Sequence, residues 1–408
     1  MSYSIRHLAA SPHRMMFFAG MLQGVLTVAW WLADLGARHG GWYAPVAWSV
    51  PAGWAHAYLM IYGLFPFFMF GFLMTAMPNW LGDVTVERRQ YVWSWGLMIA
   101  GMLAFYAGLV TGHGYLAAGV ALHLCGWAAG WAALAQLVWR SANANKLFPG
   151  QMLLLLALGW AGAASFLAWL LGAAPVLAEL SRRAGVWLFL LPSFISVSSR
   201  LIPFFSSRVL DRHEIARPPW AVPVLLSGSA AHGALEFAGA PEWLWLADAP
   251  MLATVVYLAL VWGFARSFAV RLLAMLHIAF AGLAVALLLF VVQSATLCAS
   301  GASILGAAPL HTLGIGYFAA MTLAMVSRVS LGHSGRLLLT DTVTWWCFLG
   351  LLAVAGTRAG AELVAPLSAV GYRAMNLLAG AGWLLCLLVW AARYVPMYWL
   401  PRADGRPG

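Results

Sequence analysis

The chain has 408 residues, 63% of them hydrophobic and only 8% charged, and a mean hydropathy of +0.85. That leaves too little polar surface to clothe a water-soluble globule of this length, so the solvent is lipid. The net charge of +10 does not signal nucleic-acid binding, because the Arg residues are dispersed among short loops without a basic, aromatic platform.

Apolar runs recur along the whole chain, each near the roughly 20 residues that cross a hydrocarbon core of about 30 Å. A transmembrane β-barrel would show short alternating segments instead. The first run follows basic residues in MSYSIRHLAASPHRMMFFAG with no small-residue cleavage site, and reads as a membrane anchor. Charged and Gly/Pro boundaries place twelve spans near 14–34, 54–80, 92–111, 115–138, 148–173, 184–206, 220–238, 243–264, 270–292, 308–330, 343–357 and 374–395. With the N-terminus inside, the tails and even-numbered loops carry sixteen Lys and Arg, and the opposite side only Arg38, Arg182, Arg183, Arg358 and Arg373. The positive-inside rule then puts both termini in the cytoplasm.

The second, sixth and tenth spans each end in a polar, small-residue segment: TAMPNWLGD ending at Asp83, SVSSRLIPFFSSR ending at Arg208 and MVSRVSLGHSGR ending at Arg336. The regular spacing of four helices suggests three four-helix repeats, 1–146, 147–268 and 269–408, within a single integral membrane domain.

Seven of the 11 His have ordinary readings. His7, His13, His39, His113 and His213 fall in tails, loops or interfaces, while His123 and His232 are expected to make helix-to-helix hydrogen bonds. His56 opens the second span and His311 the tenth, so both lie toward the outer face and could meet at one depth. Neutral imidazoles in an apolar wall are ligands for heme iron or copper; two unrelated interfacial His are the alternative. His277 and His333 lie toward the inner side, either as a second metal site or as a polar network with Arg328 and Arg336. Arg200, within the sixth span, is costly in lipid and is expected to face the bundle interior with an anionic or carbonyl partner, unless it snorkels to the interface.

The four Cys lack CxxC pairing and read as packing residues. No Walker, HExxH, GxSxG or dinucleotide motif occurs, and without CxxCH any heme is held non-covalently.

The segments GWAHAYLMIYGLFPFFMFGFLMTAMPNWLG, SSRLIPFFSSRVL, LHIAFAG and LHTLGIGYFAAMTLAMVSRVSLGHSGR resemble the NnrS family of bacterial membrane proteins associated with heme, copper and nitric oxide. The resemblance implies an all-α, twelve-helix inner-membrane protein that binds heme b, with copper as a second metal, and acts in nitric oxide metabolism or nitrosative-stress resistance. Its partners would be the bilayer, nitric oxide and a quinol or other electron donor. Position by position, it marks His56, His277, His311 and His333, with Asn79, Arg200, Arg328 and Arg336 as polar companions. Many members of the family carry His-x-His with a Glu where this chain has His56-Ala57-Tyr58, so Tyr58 is expected to serve only as a hydrogen-bond donor. Independently of the resemblance, a carbonyl or a hydroxyl is expected to hold the second ring nitrogen of His56 and of His311, with Tyr58 and Thr312 as candidates.

Twelve helices with His on the second and tenth are also similar to heme-copper oxidase catalytic subunits, although those have a His on helix six and this chain has none there. A redox enzyme, a twelve-helix transporter with helices broken at Pro66, Pro78, Pro192 or Pro203, and a metal-dependent sensor or assembly factor remain as readings.

Overall fold

The computed structural model describes residues 3–82, 84–210 and 215–405, so Asp83, Arg212, His213 and Arg406 lie outside the described residues. Among the described residues there is no β-strand. In lipid every backbone N–H and C=O must be satisfied within its own segment, which apolar runs of this length achieve as helices. Among the described residues eleven helices are long and apolar enough to cross a membrane: α1 Pro12–Arg38, α2 Ala52–Leu81, α3 Arg88–Thr111, α4 His113–Arg140, α5 Leu147–Leu170, α6 Val176–Val209, α8 Pro241–Val261, α9 Arg271–Ser300, α10 Ala308–His333, α11 Thr342–Val364 and α12 Ala369–Trp399. With α7, Ala221–Phe237, eleven and one make the expected twelve.

Several helices run past the boundaries read from sequence, and charged residues explain two of these extensions. α6 starts at Val176 because Glu179 reaches Arg182 at 2.7 Å and Arg183 at 3.4 Å along its first turns. α11 continues to Val364 because Arg358 and Glu362, one turn apart, pair at 2.7 Å. Such i,i+3 and i,i+4 pairs let a helix carry charge without ending. Glycine does end helices here: Gly112, with φ 130, is the single residue between α3 and α4.

α3 and α4 pack almost backbone to backbone. A Cβ on Gly101 would stand 2.4 Å from the backbone N of His123, and one on Gly119 would stand 2.5 Å from that of Phe105. Apolar side chains have no hydrophobic reason to prefer each other over lipid tails, so close van der Waals approach through small residues holds such helices together.

Among the described residues three π-helical segments interrupt the α geometry, and they fall on α2 (Leu59–Leu64), α6 (Gly185–Leu190) and α10 (Thr312–Ala319). In α2 and α6 the segment runs directly into Phe65-Pro66 and Leu191-Pro192. Proline lacks an N–H and crowds the preceding carbonyls, and a π-bulge relieves this within a continuous helix. Pro78 and Pro203 likewise sit inside continuous helices. The breaks that a transporter reading expects at these four prolines are therefore not present.

Just beyond or within these segments, one Phe from each helix meets the other two. Ring centroids are 5.5 Å apart for Phe65 and Phe194, 5.9 Å for Phe65 and Phe318, and 4.9 Å for Phe194 and Phe318.

Contacts between helix ends define two faces. At one, Ser49 donates to Gly108 O, Tyr62 to Ser181 O and Arg183 to Glu236 O. At the other, Arg14 donates to Leu400 O, Asn143 to Trp80 O and Arg402 to His333 O. The first is called the His56 face below and the second the Arg-rich face.

Candidate cofactor site

His56 follows the first turn of α2 and His311 that of α10, and both side chains line one cavity of about 250 Å³ at the His56 face. Its wall is otherwise mainly apolar, with Met60, Phe65, Leu190, Ile315 and Phe318, and carries two further polar residues, Arg182 and Trp383. Side chains of α2, α6, α10 and α12 converge there. Phe65 also lines two smaller apolar cavities, one against Phe17 and Met325 and one against Met21 and Leu351.

The two imidazoles are held differently. His311 donates its Nδ1 proton to the carbonyl of Ala307, 2.9 Å away on the preceding turn, which leaves Nε2 as the lone-pair nitrogen. His56 is stacked on the indole of Trp31, with centroids 4.0 Å apart and planes 20° apart, and Arg38 lies 5.2 Å above the same indole. The Nδ1 of His56 is buried with no hydrogen-bond partner, and so is the indole N–H of Trp383. Buried polar atoms are normally satisfied, so two orphans at one cavity indicate that it is shaped for a guest.

Basic residues ring this end. Arg182 lines the cavity and pairs with Glu179 at 2.7 Å. Arg358 pairs with Glu362 at 2.7 Å, and Glu362 lies beside Gly306 just before α10. Arg38 pairs with Asp34 and reaches His56 through Trp31.

The expected supporting roles of Tyr58 and Thr312 are corrected by this arrangement. Tyr58 lies two residues from His56, about 200° around the helix. Its hydroxyl reaches the Nδ1 of His123 at 3.1 Å, and its ring stacks on Phe105 and Phe166. The Nδ1 of His311 is taken by Ala307 and not by Thr312.

His277 and His333 are given different neighbours rather than one another. The Nε2 of His277 lies 2.9 Å from the Oγ of Ser206 on α6. The ring of His333 faces that of His13, with centroids 4.7 Å apart. His13, read from sequence as a tail residue, is buried because α1 begins at Pro12. Arg328 lies over the ring of Phe205 at 3.6 Å, and Arg336 borders a surface cavity with Asp341 and Arg393. Among the described residues no three His, Cys, Asp or Glu are grouped to hold a metal.

Arg200 departs from the interior position expected of it. It is exposed, and its guanidinium lies 4.8 Å from the ring centre of Trp80 and 4.9 Å from that of Phe148. Aromatic faces stabilise the cation without an anionic partner. Asn79 is also exposed and donates to Thr75 O on its own helix.

The sequence reading passed over Arg182, Arg358, Trp31 and Trp383. One signal for the two arginines was available: they belong to the minority of basic residues on the side where such residues are disfavoured.

A family model described as NnrS protein matches residues 7–402. No curated protein matches the sequence significantly. Among solved structures, a heme-copper terminal oxidase dimer is similar with a TM-score of 0.68 and 13% identity, over 99% of this chain and 85% of that one. The likeness to it is one of fold. Apolar helices of spanning length make the chain a multi-pass membrane protein, and the match over nearly its whole length means that it belongs to the NnrS family.

Proposed function

We propose that the chain binds a non-covalent heme b between His56 and His311 and contributes through it to nitric oxide handling in a bacterial inner membrane. The observation that carries this reading is that two imidazoles from α2 and α10, far apart in sequence, line the same cavity. Family membership and the oxidase-like fold support it.

The donor set fits the group. His311 presents its Nε2 lone pair, fixed by the Ala307 carbonyl, and His56 presents a neutral ring with an orphaned nitrogen. Arg182 and Trp383 supply a cation and an N–H for anionic edge groups such as propionates. The cavity is slightly smaller than the roughly 300 Å³ at which ligand pockets begin. A porphyrin would therefore enter with movement of flexible neighbours such as Met60. A heme there supplies a one-electron couple.

What the protein contributes is placement. His56 and His311 would hold the heme, which would serve to carry electrons, and nitric oxide would be handled at a second metal. Copper is the candidate for that second metal. A quinol or other donor would deliver the electrons. The excess of basic residues at the Arg-rich face supports placing both termini in the cytoplasm. The absorption spectrum of the purified protein tests the reading. A Soret band with b-type bands on reduction is expected, and protein lacking heme after expression in heme-replete cells would refute it.

A further inference from the structure

A second polar cluster at the His56 face has no part in ligating the proposed cofactor. His232 on α7 and Asp248 on α8 are both fully buried, with the Nδ1 of His232 2.7 Å from a carboxylate oxygen of Asp248. One turn along α7, Glu236 brings an oxygen to 3.6 Å from the Nε2 of the same ring. The imidazole is thus flanked by a carboxyl group on each side. Its face is covered by Trp187 at 3.4 Å, and Phe290 closes its edge.

Buried ionisable groups in a membrane segment are expensive, and three in contact are not explained by packing. The cluster has unmet polar atoms: the Oδ2 of Asp248, the Oε2 of Glu236, the Nε2 of His232 and the Nε of Arg183 are buried without a hydrogen-bond partner. An oxygen in that condition is relieved by carrying a proton or by sharing one with the neighbouring ring.

The cluster is also connected. Arg183 donates to the carbonyl O of Glu236 at 2.6 Å and lies 4.0 Å from its carboxylate. The same Arg183 reaches Glu179 at 3.4 Å, and Glu179 reaches Arg182, which lines the His56 cavity. Glu179 is more than a third exposed and so meets solvent. The groups facing the ring and its two carboxyl partners are therefore Arg182, Arg183 and, through them, Glu179. From α6 and α9 the ring meets the aromatic side chains of Trp187 and Phe290.

Counting charge, Asp248, Glu236 and Glu179 give minus three against plus two from Arg182 and Arg183. One proton held in the cluster, on His232 or on a carboxyl group beside it, brings the sum to zero, and its loss leaves minus one. In a low-dielectric interior that single negative charge is tolerated best when a positive charge stands nearby and worst when an electron has been added nearby.

We propose that His232, Asp248 and Glu236 form a proton-binding site that exchanges one proton with solvent through the Glu179 and Arg183 end, and that its occupancy follows the charge in the His56 cavity. When a one-electron donor reduces a cofactor there, one proton enters the cluster, and on oxidation it leaves. The proton-binding half stands on the cluster alone; the coupling half rests on the cofactor reading above.

The test uses full-length purified protein and two conservative variants, Asp248→Asn and Glu236→Gln. Infrared difference spectra between pH 5 and 9 are expected to show a carboxylic-acid carbonyl band and an imidazole ring change that one or both variants abolish. If the spectra of wild type and of every folded variant are the same, the proton site is wrong; Glu236→Gln is the fallback should Asp248→Asn not fold. Potentiometric titration of the bound heme is expected to give a midpoint that falls with rising pH in wild type and is flat in the variants. Equal pH dependence in wild type and variants overturns the coupling. Protein without a redox-active cofactor overturns the cofactor reading and with it the coupling, and leaves the infrared result to decide the proton site.

Discussion

His311 gives its Nδ1 proton to the carbonyl of Ala307 at 2.9 Å, one turn back on α10. The ring is thereby fixed in both tautomer and direction. His56 has no such bond and depends on the face of Trp31, 4.0 Å away, for its orientation. The two histidines should therefore respond differently to changes around them.

Replacing the stacking partner tests this difference. Trp31→Leu keeps an apolar residue but removes the flat support of His56, and partners that orient a ligand are typically worth about 10- to 100-fold in affinity. A heme dissociation rate roughly 10-fold faster than wild type is expected, measured by transfer to apomyoglobin, with the folded yield retained. An unchanged rate would mean that His56 is oriented by something else.

The ring contact between His13 and His333, at 4.7 Å, makes a different kind of claim. Aromatic pairs of this type are worth about 0.5–1.5 kcal/mol. A double-mutant cycle of His13→Ala with His333→Ala should show coupling of about that size in unfolding by denaturing detergent. The cycle of His277→Ala with His333→Ala should be additive. Coupling in the second cycle and not the first would restore the inner site pairing His277 with His333.

Arg200 is expected to matter for stability and not for the cofactor. Its two aromatic contacts are worth about 0.5–1 kcal/mol each at an exposed position. Arg200→Ala should lower the thermal midpoint modestly while heme content stays at the wild-type level, and Arg200→Lys should recover part of the loss. Loss of heme in Arg200→Ala would place an anionic cofactor edge at this residue after all.

The twelve helices could be read from sequence because an apolar run of spanning length admits little else in lipid. Their ends were less legible where charges pair along the helix, as at Glu179 with Arg182 and at Arg358 with Glu362, since an isolated charge in sequence looks like a boundary. The π segments leave no compositional mark except the prolines that follow two of them, because an added residue in the hydrogen-bond register changes geometry and not hydropathy. The depth of His56 and His311 followed from topology. The roles of Tyr58 and Thr312 did not, because nearness in sequence does not place two residues on one helical face. Arg182 and Arg358 were visible only as exceptions to the charge asymmetry. His232 was read correctly as a helix-to-helix hydrogen bonder, but its partners Asp248 and Glu236 went unnoticed because isolated carboxylates at helix ends are usually solvated.

The most direct measurement is the heme and copper content, with the absorption spectrum, of purified His56→Ala and His311→Ala against a His123→Ala control. His123 is fully buried, where His56 and His311 are half-buried, and it is hydrogen-bonded to Tyr58 and away from the cavity lining. Each of the first two variants is expected to lose most of its heme or to show an altered Soret band, while the control keeps the wild-type load. Full heme content and an unchanged spectrum in both His56→Ala and His311→Ala would contradict the shared site.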